Sequence, residues 1–531
     1  MDLLDGTIVN IAIPSIRSNL SASYSAIQWV VAGYSLAFAV LLVTGGRMGD
    51  VFGYKKIFMI GVGGFTLASL LSGLSVSPEM LIFARLLQGS MAALMVPQVM
   101  SLMQIMYEPS ERGSINGLFG ALGGMAASLG PVIGGLLIKA NLGGLDWRPI
   151  FLINVPVGLF GLFAASRYLP DGKSSHPLKL DLIGTGIIMG ALLLLVFPLI
   201  QGRDLGWPAW TFTMMAVSLV LFGIFAYWVR YKDKLDGSPL VLPSLFHSRS
   251  FNFGLLVNLA FESAMVGFFL TFGLFLQIGL GFSAIHAALT GLPVAIGIAA
   301  TMAIMGPRIP GLGRHALYIG CTAMAIGLLT TTWVFQHFGL NVHSWQLIPG
   351  LFIAGIGMGH IFGTLFSAVL NGVDPKHAGA ASGTLNAVQQ VGGAIGVALI
   401  GVVFFGSISH AAPASFDSVA PSLQATLTSE HVPSAYQSAI ITGVKTCFVD
   451  RSTETDASVI PASCKAAETG ALASDTSLSN AIKTSASAAN AANFNTAFRW
   501  STAFELCLLL VTFILAFALP KRFRTDAVPD L

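Results

Sequence analysis

Long apolar stretches recur along almost the whole chain, and short segments rich in charged residues, proline and glycine separate them. A helix needs about 20 mainly apolar residues to cross the hydrocarbon core of a bilayer. Runs of this kind predict fourteen membrane spans. The predicted spans lie near residues 2–16, 26–45, 57–76, 80–106, 114–138, 150–168, 182–200, 210–229, 251–278, 284–305, 316–335, 347–370, 379–406 and 497–519.

The first predicted span is shorter than a membrane requires. At about 1.5 Å per residue it covers roughly 24 Å, against roughly 30 Å for the hydrocarbon core. It also contains two acids, Asp2 and Asp5. This predicts that the natural start of the chain lies further upstream. A re-entrant or surface helix is the alternative interpretation.

The segment 408–496 interrupts the pattern, because Ala, Ser and Thr dominate it. Such a composition favours an outer-face loop, with half-buried helical pieces at most and no packed domain required. Cys447 and Cys464 both lie in this segment. On an oxidising outer face they are candidates for a disulfide, and two unpaired thiols are the alternative.

Composition and charge exclude several classes of protein. Of the 531 residues, 54% are hydrophobic and 10% are charged, against roughly 25% charged in average soluble proteins. A net charge of +3 leaves no basic surplus of the kind that binds nucleic acid. Most Lys and Arg lie in the short segments that share one side of the membrane with both termini. Cationic loops resist translocation, so we expect a multi-pass protein of the cell membrane with both termini in the cytoplasm.

One segment between the second and third spans carries a distinctive motif. Residues 46–56 contain glycines, one acid and two lysines, and glycines allow a tight turn and close helix approach. The segment resembles the cytoplasmic loop signature of the major facilitator superfamily. The motif residues are Gly46, Asp50, Gly53, Lys55 and Lys56. The resemblance implies that Asp50 forms a cytoplasmic latch with the two lysines and with Arg112.

Four further segments agree with this resemblance, in the order expected for the family. Residues 85–89 resemble its membrane arginine motif, and residues 5–14 and 147–156 resemble motifs of its fourteen-helix drug/proton antiporter branch. The fifth span resembles the antiporter motif, with the residues Gly130, Pro131, Gly134 and Gly135. Proline removes a helix hydrogen bond and glycine allows close packing, so this span is expected to bend. In the family this element is associated with export.

The resemblance implies an all-α polytopic membrane protein with the major-facilitator fold, built from two six-helix bundles and two extra inserted helices. A weak internal repeat supports two halves, since the glycine spacing of residues 46 and 53 recurs at residues 306 and 313. The expected domains are the N-terminal bundle, 1–170, the inserted helices with their linkers, 171–248, and the C-terminal bundle with its outer loop, 249–531.

Ionisable groups within the predicted spans are costly, at about 2.5 to 3.5 kcal/mol each on insertion scales. Asp5, Arg85 and Glu262 are such groups. Asp5 and Arg85 also lie in motifs that the family uses for proton coupling and helix contacts. A carboxyl group whose surroundings change between two states can take up and release a proton. We assign proton coupling to these three residues, with hydrogen bonding or ion pairing in a static structure as the alternative. Glu505, nearer the outer end of the last span, is expected to reach water.

Polar and aromatic residues in the spans are candidates for a substrate cavity. Asn258 precedes Glu262 by one turn, so both share one helix face. The antiporter branch usually has an Arg where Gln389 stands, so that family role is not carried over. Helix packing is the alternative for the aromatic residues and the histidine. The candidates are Asn10, Trp29, Tyr34, Gln88, Asn258, Gln277, His360, Asn386 and Gln389.

These patterns predict a proton-coupled exporter of hydrophobic or cationic small molecules, such as drugs or antibiotics. It would work by alternating access and use the proton gradient without a cofactor or metal. A dedicated exporter of one metabolite or self-made antibiotic is the alternative within transport. A membrane enzyme is disfavoured, because the sequence lacks an HExxH motif, a phosphate-binding glycine loop and an Asp/His cluster. A non-transporting sensor or scaffold is a third alternative. The expected partners are the substrate, protons and membrane lipids, with a monomer as one option.

Overall fold

Helices make up the regular structure of the described parts of the chain. The computed structural model describes residues 1–108, 126, 129–174, 178–305, 308–371, 373, 377–454, 459–469 and 476–522. The main helices are α1 (Asp2–Leu20), α2 (Tyr24–Phe52), α3 (Tyr54–Gly73), α4 (Pro78–Met106), α5 (Leu129–Ala140), α6 (Pro149–Tyr168), α7 (Leu182–Gln201), α8 (Ala209–Asp236), α9 (Arg249–Gly279), α10 (Ala284–Met305), α11 (Arg314–Phe338), α12 (Ser344–Leu370), α13 (Ala378–Ser429), α14 (Ser434–Thr453), α15 (Ala462–Thr469) and α16 (Thr476–Ala516).

Twelve helices of the described residues are long and apolar enough to cross a membrane. The predicted count of fourteen is therefore not confirmed. The two remaining predicted spans coincide with α1, which has 19 residues and carries two acids, and with α5, which is described only from residue 129. The other twelve predicted spans each coincide with one of the long helices.

Short polar side chains determine where several helices begin. The Ser23 hydroxyl accepts the backbone N–H of Ala26 at 3.1 Å, and the Asp181 carboxylate accepts that of Gly184 at 2.9 Å. Such caps satisfy N–H groups that have no partner within the helix. At Gly53 the φ angle is +101°, a conformation that glycine adopts freely, and the chain turns there from α2 into α3.

The helix contacts define two groups. In the first group, α4 packs against α2 and α3, α6 packs against α3, and α1 packs against α2. In the second group, α9 packs against α12, α13 and α16, and α11 packs against α12 and α16. The two groups meet mainly along α2 and α13. Helix α7 packs against α8 and against both α2 and α13, so it lies over the line where the groups meet.

Helices α2 and α13 run in opposite directions along this line. The ring of Tyr24, at the start of α2, lies 4.2 Å from the ring of Phe405 in α13. Further along α2, the cluster that contains Tyr34 packs against Ala387. The molecule therefore has two ends, which we call the Asp50 end, at the turn from α2 to α3, and the disulfide end, beyond Phe405.

The described residues within 408–496 form a helical subdomain, which differs from the outer loop that composition predicted. Helix α13 continues unbroken to Ser429, and α14, α15 and the first part of α16 follow. Alanine is the strongest helix former, and apolar residues among the alanines supply a separate core. That core includes Phe416, Leu423, Leu427, Val444 and Leu478. A disulfide between Cys447 and Cys464 joins α14 to α15.

Candidate functional site

Asp5 and Arg85 form an ion pair inside the first helix group. Asp5 lies in the first turns of α1, and Arg85 lies on α4. Their exposed fractions are 0% and 1%. The Arg85 Nη1 donates to Oδ2 of Asp5. Since α1 and α4 both pack against α2, this contact joins two helices that a third helix holds in place.

Neutral amides complete the coordination of the Asp5 carboxylate. Its Oδ1 accepts from Nε2 of Gln88 at 2.8 Å and from Nδ2 of Asn154 at 3.0 Å. Gln88 also accepts from Arg85 at 2.6 Å and donates to the Ser69 hydroxyl at 2.8 Å. Side chains from α1, α3, α4 and α6 therefore converge on one buried charge pair. The amide donors thus satisfy the carboxylate oxygen that does not accept from Arg85.

Aromatic rings surround the guanidinium of Arg85. Its central carbon lies 4.2 Å from the ring centroid of Tyr34 and 5.7 Å from that of Phe151. Both distances are within the range of cation–π attraction. The Tyr34 hydroxyl donates to the carboxylate of Asp2. The structure thus places Tyr34 and Gln88, which were predicted to line a substrate cavity, in the surroundings of the ion pair.

The two charged partners of this ion pair differ in their chemistry. Arg85 stays charged, because an arginine side chain does not lose its proton in proteins. Asp5 can become neutral by accepting a proton, and its attraction for Arg85 and for the two amides would then fall. A proton on Asp5 would therefore loosen α1 from α4 and α6 together.

A second buried carboxyl group lies on α9, in the second helix group. Glu262 is 6% exposed, and its Oε1 accepts from Nε2 of Gln389 on α13 at 3.3 Å. One turn earlier Asn258 is fully buried, and neither atom of its amide has a hydrogen-bond partner within the described residues. A buried polar group without a partner costs about 1 to 3 kcal/mol. Asn258 therefore offers an unused donor and acceptor beside a carboxyl group.

Glu505 does not reach water, in contrast to the prediction from its position near the outer end of the last span. Its side chain on α16 is 0% exposed. One oxygen accepts from the Thr271 hydroxyl at 3.4 Å, and the other has no partner among the described residues. Helix α16 packs against α9, α11 and α13. Its first turns also contribute to the core of the subdomain, so the packed part of α16 extends beyond the predicted span.

Two aromatic cavity candidates have local packing partners. The ring of Trp29 on α2 lies 6.1 Å from the ring of Phe197 on α7. The Nδ1 of His360 lies 2.9 Å from the carbonyl oxygen of Ile356 in the preceding turn of the same helix. Trp29 therefore faces the helix that covers the line between the groups, and His360 satisfies a backbone carbonyl.

Three amide candidates are in different surroundings. Gln277 donates to the carbonyl of Gly273 at 3.5 Å, within the last turns of α9. Asn386 is exposed on α13. The side-chain oxygen of Asn10 on α1 is buried and has no hydrogen-bond partner in the described parts of the chain. Asn10 thus resembles Asn258 in having an unused polar atom inside the molecule.

The loop motif packs against the segment that follows α6. The Asp50 carboxylate accepts from the Tyr54 hydroxyl at 2.9 Å, and its backbone carbonyl accepts the N–H of Ser174 at 3.3 Å. Lys55 is partly buried and Lys56 is exposed. Among the described residues, Asp50 forms no salt bridge with either lysine. Gly46 packs near Pro97 of α4, and the predicted partner Arg112 lies outside the described residues.

The glycines of the antiporter motif bring α5 close to one helix of each group. The motif residues in α5 are Gly130, Pro131, Gly134 and Gly135. Gly130 and Gly134 face α1, where a Cβ on Gly134 would lie 2.7 Å from Cγ1 of Ile8. A Cβ on Gly135 would lie 2.8 Å from Cα of Ile285 on α10. The absence of a side chain at Gly135 therefore permits the close contact between α5 and α10.

Sequence analysis missed a buried arginine near the Asp50 end. Arg47 is 7% exposed and donates to the backbone carbonyls of Lys179 at 3.0 Å and Ser238 at 2.9 Å, and also to those of Pro239 and Leu240. These carbonyls belong to the linkers before α7 and after α8. The sequence signal at this position is a single arginine inside the loop motif, and sequence analysis gave it no separate role.

Membrane-length helices in two groups, with buried charged residues inside each group, define a multi-pass membrane transporter. The family model of the Major Facilitator Superfamily matches residues 1–397. The chain belongs to this superfamily, and it is a transporter and not an enzyme.

The chain is similar to transporters and resistance proteins of Streptomyces species. The probable actinorhodin transporter of Streptomyces coelicolor is 40% identical over 99% of this chain and 90% of that protein. The puromycin resistance protein of Streptomyces alboniger is 34% identical over 76% of this chain and 79% of its own length. The tetracenomycin C resistance and export protein of Streptomyces glaucescens is 30% identical over 78% and 75%.

Solved structures of other transporters share the fold. An auto-inhibited peptide transporter of the POT family matches with a TM-score of 0.58, 15% identity and coverage of 99% of this chain and 97% of that chain. A bacterial homolog of the human lysosomal transporter Spinster matches with a TM-score of 0.55, 17% identity and coverage of 99% and 96%. At these identities the similarity concerns the fold alone.

Proposed function

We propose that this protein exports small molecules in exchange for protons and that it works by alternating access. Export is supported by relatives whose names describe antibiotic transport, resistance or export, one of which matches nearly the whole chain. The observation that carries proton coupling is the buried contact between Asp5 and Arg85. In this contact the Asp5 carboxyl group, which can change its charge, lies against the Arg85 guanidinium, which cannot. Together the two side chains join α1 to α4 in the first group.

In the proposed cycle, Asp5 accepts a proton when one conformation gives water access to it. Neutral Asp5 releases Arg85, which then keeps the carbonyl of Val30 and the oxygen of Gln88 as partners. The helices shift, the other side of the molecule opens, and Asp5 returns its proton there. Glu262 is proposed as a second proton or cation site, because it offers a buried carboxyl group beside the unused amide of Asn258.

The finer architecture is part of the same proposal. Fourteen spans would comprise two six-helix bundles, α1–α6 and α9–α13 with α16, and the inserted pair α7 and α8. Both termini and the Asp50 end would face the cytoplasm, because basic residues are concentrated there. The disulfide end would face the oxidising exterior, which suits the bond between Cys447 and Cys464. Asp50 would contribute to the cytoplasmic latch.

Substrate-driven proton flux in liposomes tests the proposal. Purified protein is reconstituted with a pH-sensitive dye inside the vesicles, and a panel of antibiotics and lipophilic cations is added. We expect proton movement with at least one compound and its loss in Asp5→Asn and Glu262→Gln. Asp417→Asn is the matched control, because this carboxylate is exposed and paired with Lys445 in the subdomain. Wild-type flux in both site variants would overturn their assignment to coupling.

A dedicated exporter of one compound is the second candidate. The relative that matches 99% of this chain, outer subdomain included, is named for a single compound. Resistance of an efflux-deficient host to a broad compound panel separates the two candidates. Protection against unrelated compounds supports multidrug export, whereas protection against one chemical class supports a dedicated exporter. An absence of proton flux and of protection with every compound would favour a sensor or scaffold.

A further inference from the structure

The inserted pair α7 and α8 has no task in the transport cycle proposed above. Yet α7 packs against α2 of the first group and against α13 of the second. A helix that touches both groups must either move with one of them or resist their separation. The hydrogen bonds at the two ends of α7 show which helix group it is attached to.

At the Asp50 end, α7 is bonded to α2. The hydroxyls of Thr44 on α2 and Thr185 on α7 lie 2.8 Å apart. Arg47 on α2 donates to the carbonyls of Lys179, which precedes α7, and Ser238, which follows α8. These bonds are buried or partly buried, and each of them involves a side chain of α2. The start of α7 and the end of α8 are therefore attached to the first group.

At the disulfide end, the turn between α7 and α8 contacts both groups. The carboxylate of Asp204 accepts from the hydroxyl of Ser25 on α2. The neighbouring Arg203 donates from Nη2 to the hydroxyl of Ser409 on α13 at 2.7 Å. Its guanidinium carbon also lies 5.9 Å from the ring centroid of Phe405. One residue of the turn thus holds the first group, and its neighbour reaches across to the second.

The two charged residues of the turn are partly withdrawn from water. Burial lowers the pKa of Arg203 and raises the pKa of the Asp204 carboxyl, and their mutual attraction opposes both changes. A hydrogen bond from a cation in such a place is stronger than one at an open surface. Ser409 in turn donates to the carbonyl of Ser452 on α14, at 3.2 Å, which fixes its orientation.

We propose that the turn between α7 and α8 is a latch that keeps the disulfide end closed, with the bond from Arg203 to Ser409 as its releasable contact. The inference rests on the proposed alternating access. Because α7 is bonded to α2 at both ends, separation of the groups leaves the Thr44 and Ser25 contacts intact. The bond between Arg203 and Ser409 has to break. Asp204 acts as a positioning residue that holds Arg203 in reach of α13.

Distance measurements between spin labels test the latch without any substrate. Ser18 and Asn341 are exposed at the disulfide end, on the first and second groups respectively. Both are replaced by cysteine for labelling, in a full-length Cys507→Ser background that removes the exposed free thiol. Pulsed electron resonance then gives the populations of the closed and open distances. The variants compared are Arg203→Gln and Ser409→Ala.

We expect both variants to raise the ratio of open to closed populations by about ten- to a hundredfold, the effect of losing one hydrogen bond from a charged group. The double variant should shift the ratio no further than Arg203→Gln alone, since both changes remove the same bond. Arg230→Gln is the matched control, because it removes the same charge from an exposed position on α8.

Unchanged distances in Arg203→Gln and Ser409→Ala would overturn the latch, and so would an equal shift in Arg230→Gln. The measurement does not depend on proton flux. A changed distance distribution in the variants, without proton-coupled transport by the wild type, would reject the proposed coupling and support the latch. Proton-coupled transport with unchanged distances would support the coupling and reject the latch.

Discussion

The carboxylate of Asp5 compensates the charge of Arg85 at a depth where neither side chain meets solvent. The two partners are not equivalent. A carboxylate that loses its partner can accept a proton and so become neutral. A guanidinium that loses its partner stays charged. This asymmetry makes the stability of variants at the two positions a test of the site.

Asp5→Leu should destabilise the protein more than Arg85→Leu. A buried cation without an anion costs about 3 to 5 kcal/mol, whereas Asp5 can escape most of this cost by protonation. Thermal unfolding of the purified protein in detergent measures the difference. The double variant Asp5→Leu/Arg85→Leu should recover part of the loss, because it leaves no unpaired charge. Equal destabilisation by the two single variants would contradict the argument.

Gly135→Ala should slow transport, because the added Cβ would meet the backbone of Ile285 on α10 at 2.8 Å. Overpacking of this kind costs about 1 to 3 kcal/mol and here separates α5 from the second helix group. The initial rate of substrate-driven proton flux is the measurement. Gly186→Ala on α7 is the control, since nothing lies within 4 Å of its Cβ position. A wild-type rate in Gly135→Ala would show that the contact tolerates a methyl group.

Arg47→Lys should lower stability although it retains the charge. The guanidinium reaches several carbonyls of two linkers at once, and an ammonium group on a flexible stem does not reproduce that fork. We expect a loss of about 1 to 3 kcal/mol, which corresponds to carbonyls left without their donor. Thermal unfolding and hydrogen exchange of residues 178–182 and 237–242 measure it. Lys56→Arg, at an exposed position of the same motif, should have no effect.

Removal of the disulfide should make the helical subdomain within residues 408–496 less stable and leave the helix groups intact. The cysteines are separated by 17 residues, and closing such a loop stabilises by about 3 kcal/mol in the chain-entropy model. In Cys447→Ser/Cys464→Ser, the amides of α14 should exchange hydrogen faster while those of α2 stay protected. Cys507→Ser, at an exposed free thiol, is the control. Unaltered exchange in α14 would show that the apolar core of the subdomain is sufficient.

Hydropathy located the long helices well, because a bilayer demands continuous apolar segments that are visible in one dimension. It failed at residues 408–496, where alanine-rich helices form a separate core around Phe416 and Val444. Their apolar positions are spread over three helices, α13, α14 and α16, so no short stretch of the sequence shows them together. The loop prediction rested on the high content of alanine, serine and threonine, but alanine favours helix.

The sequence by itself determined the membrane class and the family motifs, since each depends on local composition or on a short ordered string. It singled out Asp5, Arg85 and Glu262 for their cost in a membrane. Only the tertiary structure decided their partners. The residues that meet Arg47 and Arg203 are more than a hundred positions away, and a hydrogen bond across that separation exists only once the helices have packed.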